Sequence, residues 1–181
     1  MSWRTLSERT VYENAWMRVQ EDSVINPGGG RNEYGHVRFK NTAVAILPLD
    51  QDQNTWLVGQ QRYTLGAYSW ELPMGGAPKH EHPLDCAQRE LAEETGLTAQ
   101  HWAQALCLHT SNSITDEYGV IFHATGLQEG TASPEETEVL AVQRLPVAQA
   151  IEMACNGEIT DAISIAALLH FSARGCAVPE G

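Results

Sequence analysis

Residues 10–12 and Met17–Ile25 alternate β-branched or apolar side chains with polar ones, the two-residue period of half-buried strands. Asn26-Pro27-Gly28-Gly29-Gly30 marks a turn, and residues 34–39 resume the alternation. Together these predict an N-terminal antiparallel unit of about 40 residues that is marginal alone and must pack on the main domain or a second subunit. Ala43-Val44-Ala45-Ile46-Leu47 is apolar throughout, which predicts a central strand covered on both faces. Further strands are predicted over 56–61, 70–73, 105–109, 118–124 and 139–145, with an acidic loop over 126–138. The spacing predicts a helix over 146–156, stopped by Gly157, and another from a Thr160/Asp161 cap to Gly175. Strands with a helix between them and two helices at the end predict a layered α/β domain in which helices cover a mixed sheet.

The period changes to that of a helix after Gly75 and Gly76, which read as a loop. Pro83 suits a first helical turn, and Gly96 a left-handed C-terminal cap. Leu84, Ala87, Leu91 and Thr95 share the inward face between them. Glu90, Glu93 and Glu94 share an adjoining face, and carboxylates at i, i+3 and i+4 repel one another. A divalent cation relieves that repulsion, and Mg²⁺ favours carboxylates combined with water and substrate phosphates. Arg89 can reach Glu93 at i+4.

Composition narrows the chemistry. The 181 residues carry a formal charge of −12, which argues against nucleic acid or an anionic membrane as partner. No apolar run approaches the ~20 residues of a membrane span, and the N-terminus lacks the apolar core of a signal peptide. Cys86, Cys107, Cys155 and Cys176 are widely spaced, predicting four reduced, buried thiols of a cytoplasmic protein. His80 and His82 flank Glu81 without a third partner at metal spacing, so they read as loop residues. Water activation needs a further base, and Glu135, Glu136 and Glu138 in the acidic loop are the best source.

Gly75, Glu81, Arg89, Glu90, Leu91, Glu93, Glu94, Gly96 and Leu97 fit Gly-x5-Glu-x7-Arg-Glu-U-x-Glu-Glu-x-Gly-U, with U a bulky aliphatic, without departure. Seven fixed residues make a chance match on the order of 10⁻⁹ per start position. This stretch resembles the box of the Nudix hydrolases. The wider chain is similar to that family's ADP-ribose pyrophosphatase and nucleoside-diphosphate-sugar hydrolase branch, through Gln60-Gln61-Arg62-Tyr63, residues 70–76, residues 111–117 and residues 157–162.

The resemblance implies an α/β/α sandwich with a mixed sheet over 41–175, a small antiparallel dimerisation subdomain over 1–40, and a tail over 176–181. It implies Mg²⁺, with Mn²⁺ as an alternative, held by Glu90, Glu93, Glu94 and the Met74 carbonyl. It implies catalytic roles for Glu136 and Glu138, without deciding which activates water, and for Glu93. Arg62 would contact the diphosphate or terminal sugar, and Glu117 would lie near the substrate. Trp16 and Tyr34 are candidates to stack on the base. ADP-ribose-specific members often carry proline where this chain has Ser113, so the resemblance argues against strict ADP-ribose specificity and favours broader use of nucleoside-diphosphate sugars. The implied protein is a cytoplasmic homodimer that hydrolyses the diphosphate of a nucleotide sugar or ADP-ribose. The rival readings are a hydrolase of dinucleotide cofactors or dinucleoside polyphosphates, and a catalytically silent nucleotide sensor.

Overall fold

The computed structural model describes residues 2–133 and 139–176. Strands β1 (Arg4–Glu13), β2 (Met17–Ile25) and β3 (Arg31–Phe39) form an antiparallel sheet in that order. The β2–β3 turn is closed by the Asn26 carboxamide, whose Oδ1 accepts from the N–H groups of Gly28 (2.9 Å) and Gly30 (3.0 Å). Gly29, at φ 90°, takes the left-handed position that side chains resist.

The main body begins at β4 (Asn41–Pro48), which pairs antiparallel with β7 (Met74–Pro78) and parallel with β9 (Tyr118–Glu129). The long strand β8 (Leu97–His109) completes a four-stranded mixed sheet in the order β7-β4-β9-β8. A second, antiparallel sheet runs β10 (Ala141–Pro146), β5 (Asn54–Arg62), β6 (Ala67–Glu71). Helix α1 (Pro83–Thr95) packs against one face of the mixed sheet; α2 (Val147–Asn156) and α3 (Ala162–Ala173) pack together across the other. The alternation of β4 explains why both faces are apolar. Ala45 and Leu47 join the core under α2 and α3, whereas Val44 and Ile46 join the core under α1. The layered α/β expectation holds, and the strand over 43–47 is central and covered on both faces as its composition predicts.

Several expectations need correction. Gly75 and Gly76 lie in β7, paired with Val44 and Ala43, rather than in a loop. Glycine is depleted in strands, and here it marks a close approach from the neighbouring helix. The strand expected over 70–73 ends at Glu71, and the one expected over 105–109 begins at Leu97. Its alanine- and glutamine-rich first half has little strand preference, and pairing with β9 overrides that. Strand β9 also continues to Glu129, into the stretch expected as loop. Of the four free cysteines only Cys86 is buried; Cys155 and Cys176 are exposed, Cys155 on the outer face of α2 and Cys176 beyond the end of α3. Among the described residues no helix is long and apolar enough to cross a membrane.

The core holds one ionisable side chain whose burial has a thermodynamic signature. His123 on β9 packs edge-on against Phe171 of α3, at 5.4 Å between ring centroids, and both ring nitrogens are buried without a hydrogen-bond partner among the described residues. Burial, with the nearby His170 and Arg174, pushes its pKa down to about 4. The unfolded chain takes up this proton near pH 6.5 and the folded protein only near pH 4. Stability is therefore full above pH 6.5, falls as the pH drops toward 4, and levels off below. The loss is on the order of 3 kcal/mol. Denaturant titrations between pH 7 and 4 should show this decline, and His123→Leu should flatten most of it.

Candidate functional site

Helix α1 carries the site, and its ends are set by local chemistry. Pro83 occupies the first turn, and the Nδ1 of His82 accepts from the Leu84 N–H at 3.2 Å, so His82 is the N-terminal cap. Gly96 closes the other end at φ 73°, donating its N–H to the Ala92 carbonyl. Ala87 and Leu91 are fully buried against the sheet, which fixes the rotation of the helix and turns Arg89, Glu90 and Glu93 toward a cleft of about 770 Å³. Its other walls include Trp16, Asn41, Met74 and Gly75.

Arg89 organises the acidic side chains. Its Nε and Nη2 donate to the two oxygens of Glu81, both at 3.1 Å, and its Nη1 donates to Glu90 at 2.7 Å and Glu93 at 2.9 Å. One guanidinium thus gathers three carboxylates that would otherwise repel, and their hydrogen bonds raise its own pKa, that from Glu81 first. In return Arg89 holds Glu81 below the usual carboxylate range. The Cys86 thiol is pushed up to about 12 by burial and by the adjacent Glu90, so it is an inert neighbour.

Glu94 differs from its two partners. It is buried, and its Oε2 accepts from the Met74 N–H at 3.0 Å, tying the helix to β7. The three carboxylates therefore divide their positions, with Glu90 and Glu93 on the cleft wall and Glu94 beneath it.

Among the described residues no three His, Cys, Asp or Glu side chains are already converged as a metal site, because Arg89 stands between Glu90 and Glu93. The donors nevertheless fit a hard divalent cation. They are all oxygens, Arg89 shows that Glu90 and Glu93 can converge on one positive charge, and β7 leaves Glu90 the space it needs. A Cβ added at Gly75 would lie 2.0 Å from the Glu90 carboxyl carbon. Only glycine lets the strand pass so close.

The remaining sequence candidates are scattered. Trp16 joins Met74, Glu90 and Glu93 at the cleft and is 68% exposed, available for a flat ligand. Arg62 does not line the cleft; it forms a bidentate pair with buried Glu71, with Nε to Oε1 at 2.8 Å, and this pair chiefly raises its pKa. Glu71 is a partner that sequence reasoning missed, since the two residues sit on paired strands but are nine apart in the chain. Glu117 accepts from the Thr110 hydroxyl, away from the cleft lining. Tyr34 lines a separate cavity of about 400 Å³ with Trp3, Asp22 and His36, and its hydroxyl donates to the Ser113 carbonyl. Glu136 and Glu138 lie outside the described residues.

The close approach at Gly75 yields a prediction. Gly75→Ala should cost little stability, since the group it meets is the mobile end of a side chain, but it must displace the Glu90 carboxylate. Calorimetric titration with Mg²⁺ or Mn²⁺ should show affinity lowered by about tenfold or more, with the circular dichroism spectrum unchanged.

Comparison with known proteins agrees with this geometry. Residues 39–166 match the NUDIX domain, and residues 3–37 match the nucleoside diphosphate sugar hydrolase N-terminal domain. The chain is 35% identical to an ADP-ribose pyrophosphatase of Mycobacterium tuberculosis, over 98% of this chain and 88% of that one. It is 26% identical to an ADP-ribose pyrophosphatase of Bacillus subtilis, over 94% and 93% of the two chains. A crystal structure described as an ADP compounds hydrolase superposes with a TM-score of 0.85 at 21% identity, covering 98% of each chain, and so shares the fold. With the acid-faced helix, the glycine strand against it and the mixed sheet beneath, these matches establish that the chain belongs to the Nudix family.

Proposed function

We propose that this protein hydrolyses the diphosphate of a nucleoside-diphosphate sugar or of ADP-ribose, releasing a nucleoside monophosphate and a sugar phosphate. The observation that carries the reading is the Arg89-gathered carboxylate wall, in a chain whose relatives include ADP-ribose pyrophosphatases and whose first residues match a nucleotide-sugar hydrolase domain.

Glu90 and Glu93, with the Met74 carbonyl and Glu94, would hold Mg²⁺, or Mn²⁺ in its place. The cation, when bound, supplies positive charge against the diphosphate and the leaving group. Glu94 also fixes the Met74 peptide through its N–H, so that carbonyl is presented by a rigid strand. Trp16 offers a stacking face beside the cleft, and Tyr34 offers one in the separate cavity. Arg62, held by Glu71, keeps its remaining guanidinium donors for the diphosphate or sugar, and Glu117 would lie near the part of the substrate that extends beyond the Glu90–Glu93 wall. Glu136 or Glu138 would accept the proton from the attacking water, a general-base role worth about 10²–10⁴ in rate.

We further propose a cytoplasmic homodimer with residues 1–40 as the dimerisation subdomain and 41–175 as the catalytic domain. Strand β1 supports this: all ten of its residues are exposed, it is the outer edge of its sheet, and Trp3, Leu6, Val11 and Tyr12 lie bare on or beside it. Light scattering after size exclusion should give twice the chain mass, and Val11→Asp with Tyr12→Asp should shift it toward one chain mass.

ADP-ribose, GDP-mannose, UDP-glucose, NADH and a dinucleoside polyphosphate, each assayed with Mg²⁺ and with Mn²⁺, test the reaction. Nucleotide sugars or ADP-ribose should be cleaved best, and Glu93→Gln should lower kcat by about a hundredfold or more. Absence of cation-stimulated turnover on every compound contradicts the proposal.

A further inference from the structure

Beside the cleft lies a bay of about 310 Å³ lined by Arg18, Arg38, Phe39, Lys40, Lys79 and Asp116. It contains four of the 11 lysines and arginines of a chain whose net charge is −12. Arg18 and Arg38 stand directly opposite each other in the β2–β3 register, a like-charge arrangement that costs stability.

Local carboxylates compensate these charges only in part. Glu13 serves two cations at once, at 3.1 Å from Arg18 and 2.8 Å from Lys40, and Arg18 first, then Lys40, bring its pKa down to about 2. Asp116 stands 3.6 Å from Arg38, beyond a good hydrogen bond. Lys79 has no ion-pair partner among the described residues. Glu8 also acts on Arg18 from a distance without a direct ion pair, so the four cations meet three carboxylates and keep a small local excess of positive charge in an otherwise acidic molecule, a focus for anions. The bay is also preorganised, because the Nε of Arg38 donates to buried Gln20 at 2.7 Å, which fixes the guanidinium.

The bay and the cleft share a border. The Lys40 N–H donates to the Trp16 carbonyl at 2.9 Å, and Lys79 sits between Pro78 and His80; Trp16, Pro78 and His80 all line the cleft. A ligand whose diphosphate lies against Glu90 and Glu93 can therefore extend a substituent into the bay.

We infer that this bay is an anion subsite for a phosphomonoester carried by the ligand outside its scissile diphosphate, on either the nucleoside ribose or the sugar. The placement of that phosphate relative to a cleaved diphosphate rests on the function proposed above; the subsite itself rests on the four cations.

Calorimetry in EDTA separates the two. Adenosine 2′,5′-bisphosphate is compared with AMP for the ribose source, and glucose 1,6-bisphosphate with glucose 1-phosphate for the sugar source. In one of these pairs the extra phosphate should tighten binding by about tenfold at low salt. The gain should shrink at high ionic strength. Lys79→Gln, an exposed loop change that threatens no packing, should remove most of it, and Arg38→Gln should do the same. Equal affinity within both pairs, or a gain that neither substitution diminishes, overturns the inference. A gain in a protein that cleaves no diphosphate leaves the subsite standing and refutes the reaction, whereas turnover without the gain does the reverse.

Discussion

The site depends on one guanidinium holding three carboxylates. Glu81, Glu90 and Glu93 repel one another on a shared cleft wall, and Arg89 offsets that repulsion from the same helix as Glu90 and Glu93. The repulsion that weakens an acidic helix face becomes a source of order, since each carboxylate is aimed by a fixed fork of donors. Arg89 thus holds Glu81, Glu90 and Glu93 on one wall of the cleft while itself standing between Glu90 and Glu93.

Everything around α1 serves to keep that arrangement in register. Ala87 and Leu91 bury the adjoining face against Val44 and Ile46 of a strand covered on both sides, so rotation of the helix would expose apolar surface. Glu94 adds a bond from the helix to the Met74 N–H of β7, and Gly75, next along the same strand, gives Glu90 room to stand. The acidic helix face and the glycine strand are two parts of one contact. The N-terminal sheet contributes Trp16 to the edge of the cleft and places a positive bay alongside it, so different parts of the chain border the acidic wall.

Much of this was legible in the chain because the governing interactions are local. Pro83 and Gly96 bracket α1, and the Arg89–Glu93 pair is a helical i+4 contact. The apolar run over 43–47 announced a strand buried on both faces. What escaped notice depends on residues brought together by pairing. Glu71 meets Arg62 only because β5 and β6 form a hairpin, and Gly75 reads as loop until Glu90 is seen against it. Arg18 faces Arg38 through strand register, while Lys79 comes from another part of the chain. Tyr34 and Trp16 are both stacking candidates from the N-terminal unit, yet they line different cavities. The side-chain period says which face a residue takes, and the packing of the sheet decides what that face meets.

The most direct test of the central claim is an anomalous-difference map from crystals soaked in Mn²⁺. The account predicts a peak bounded by the carboxylates of Glu90 and Glu93, with Arg89 drawn away from at least one of them and still held by Glu81. A well-occupied Mn²⁺ elsewhere in the molecule, with the Arg89 bridge between Glu90 and Glu93 intact, would contradict it.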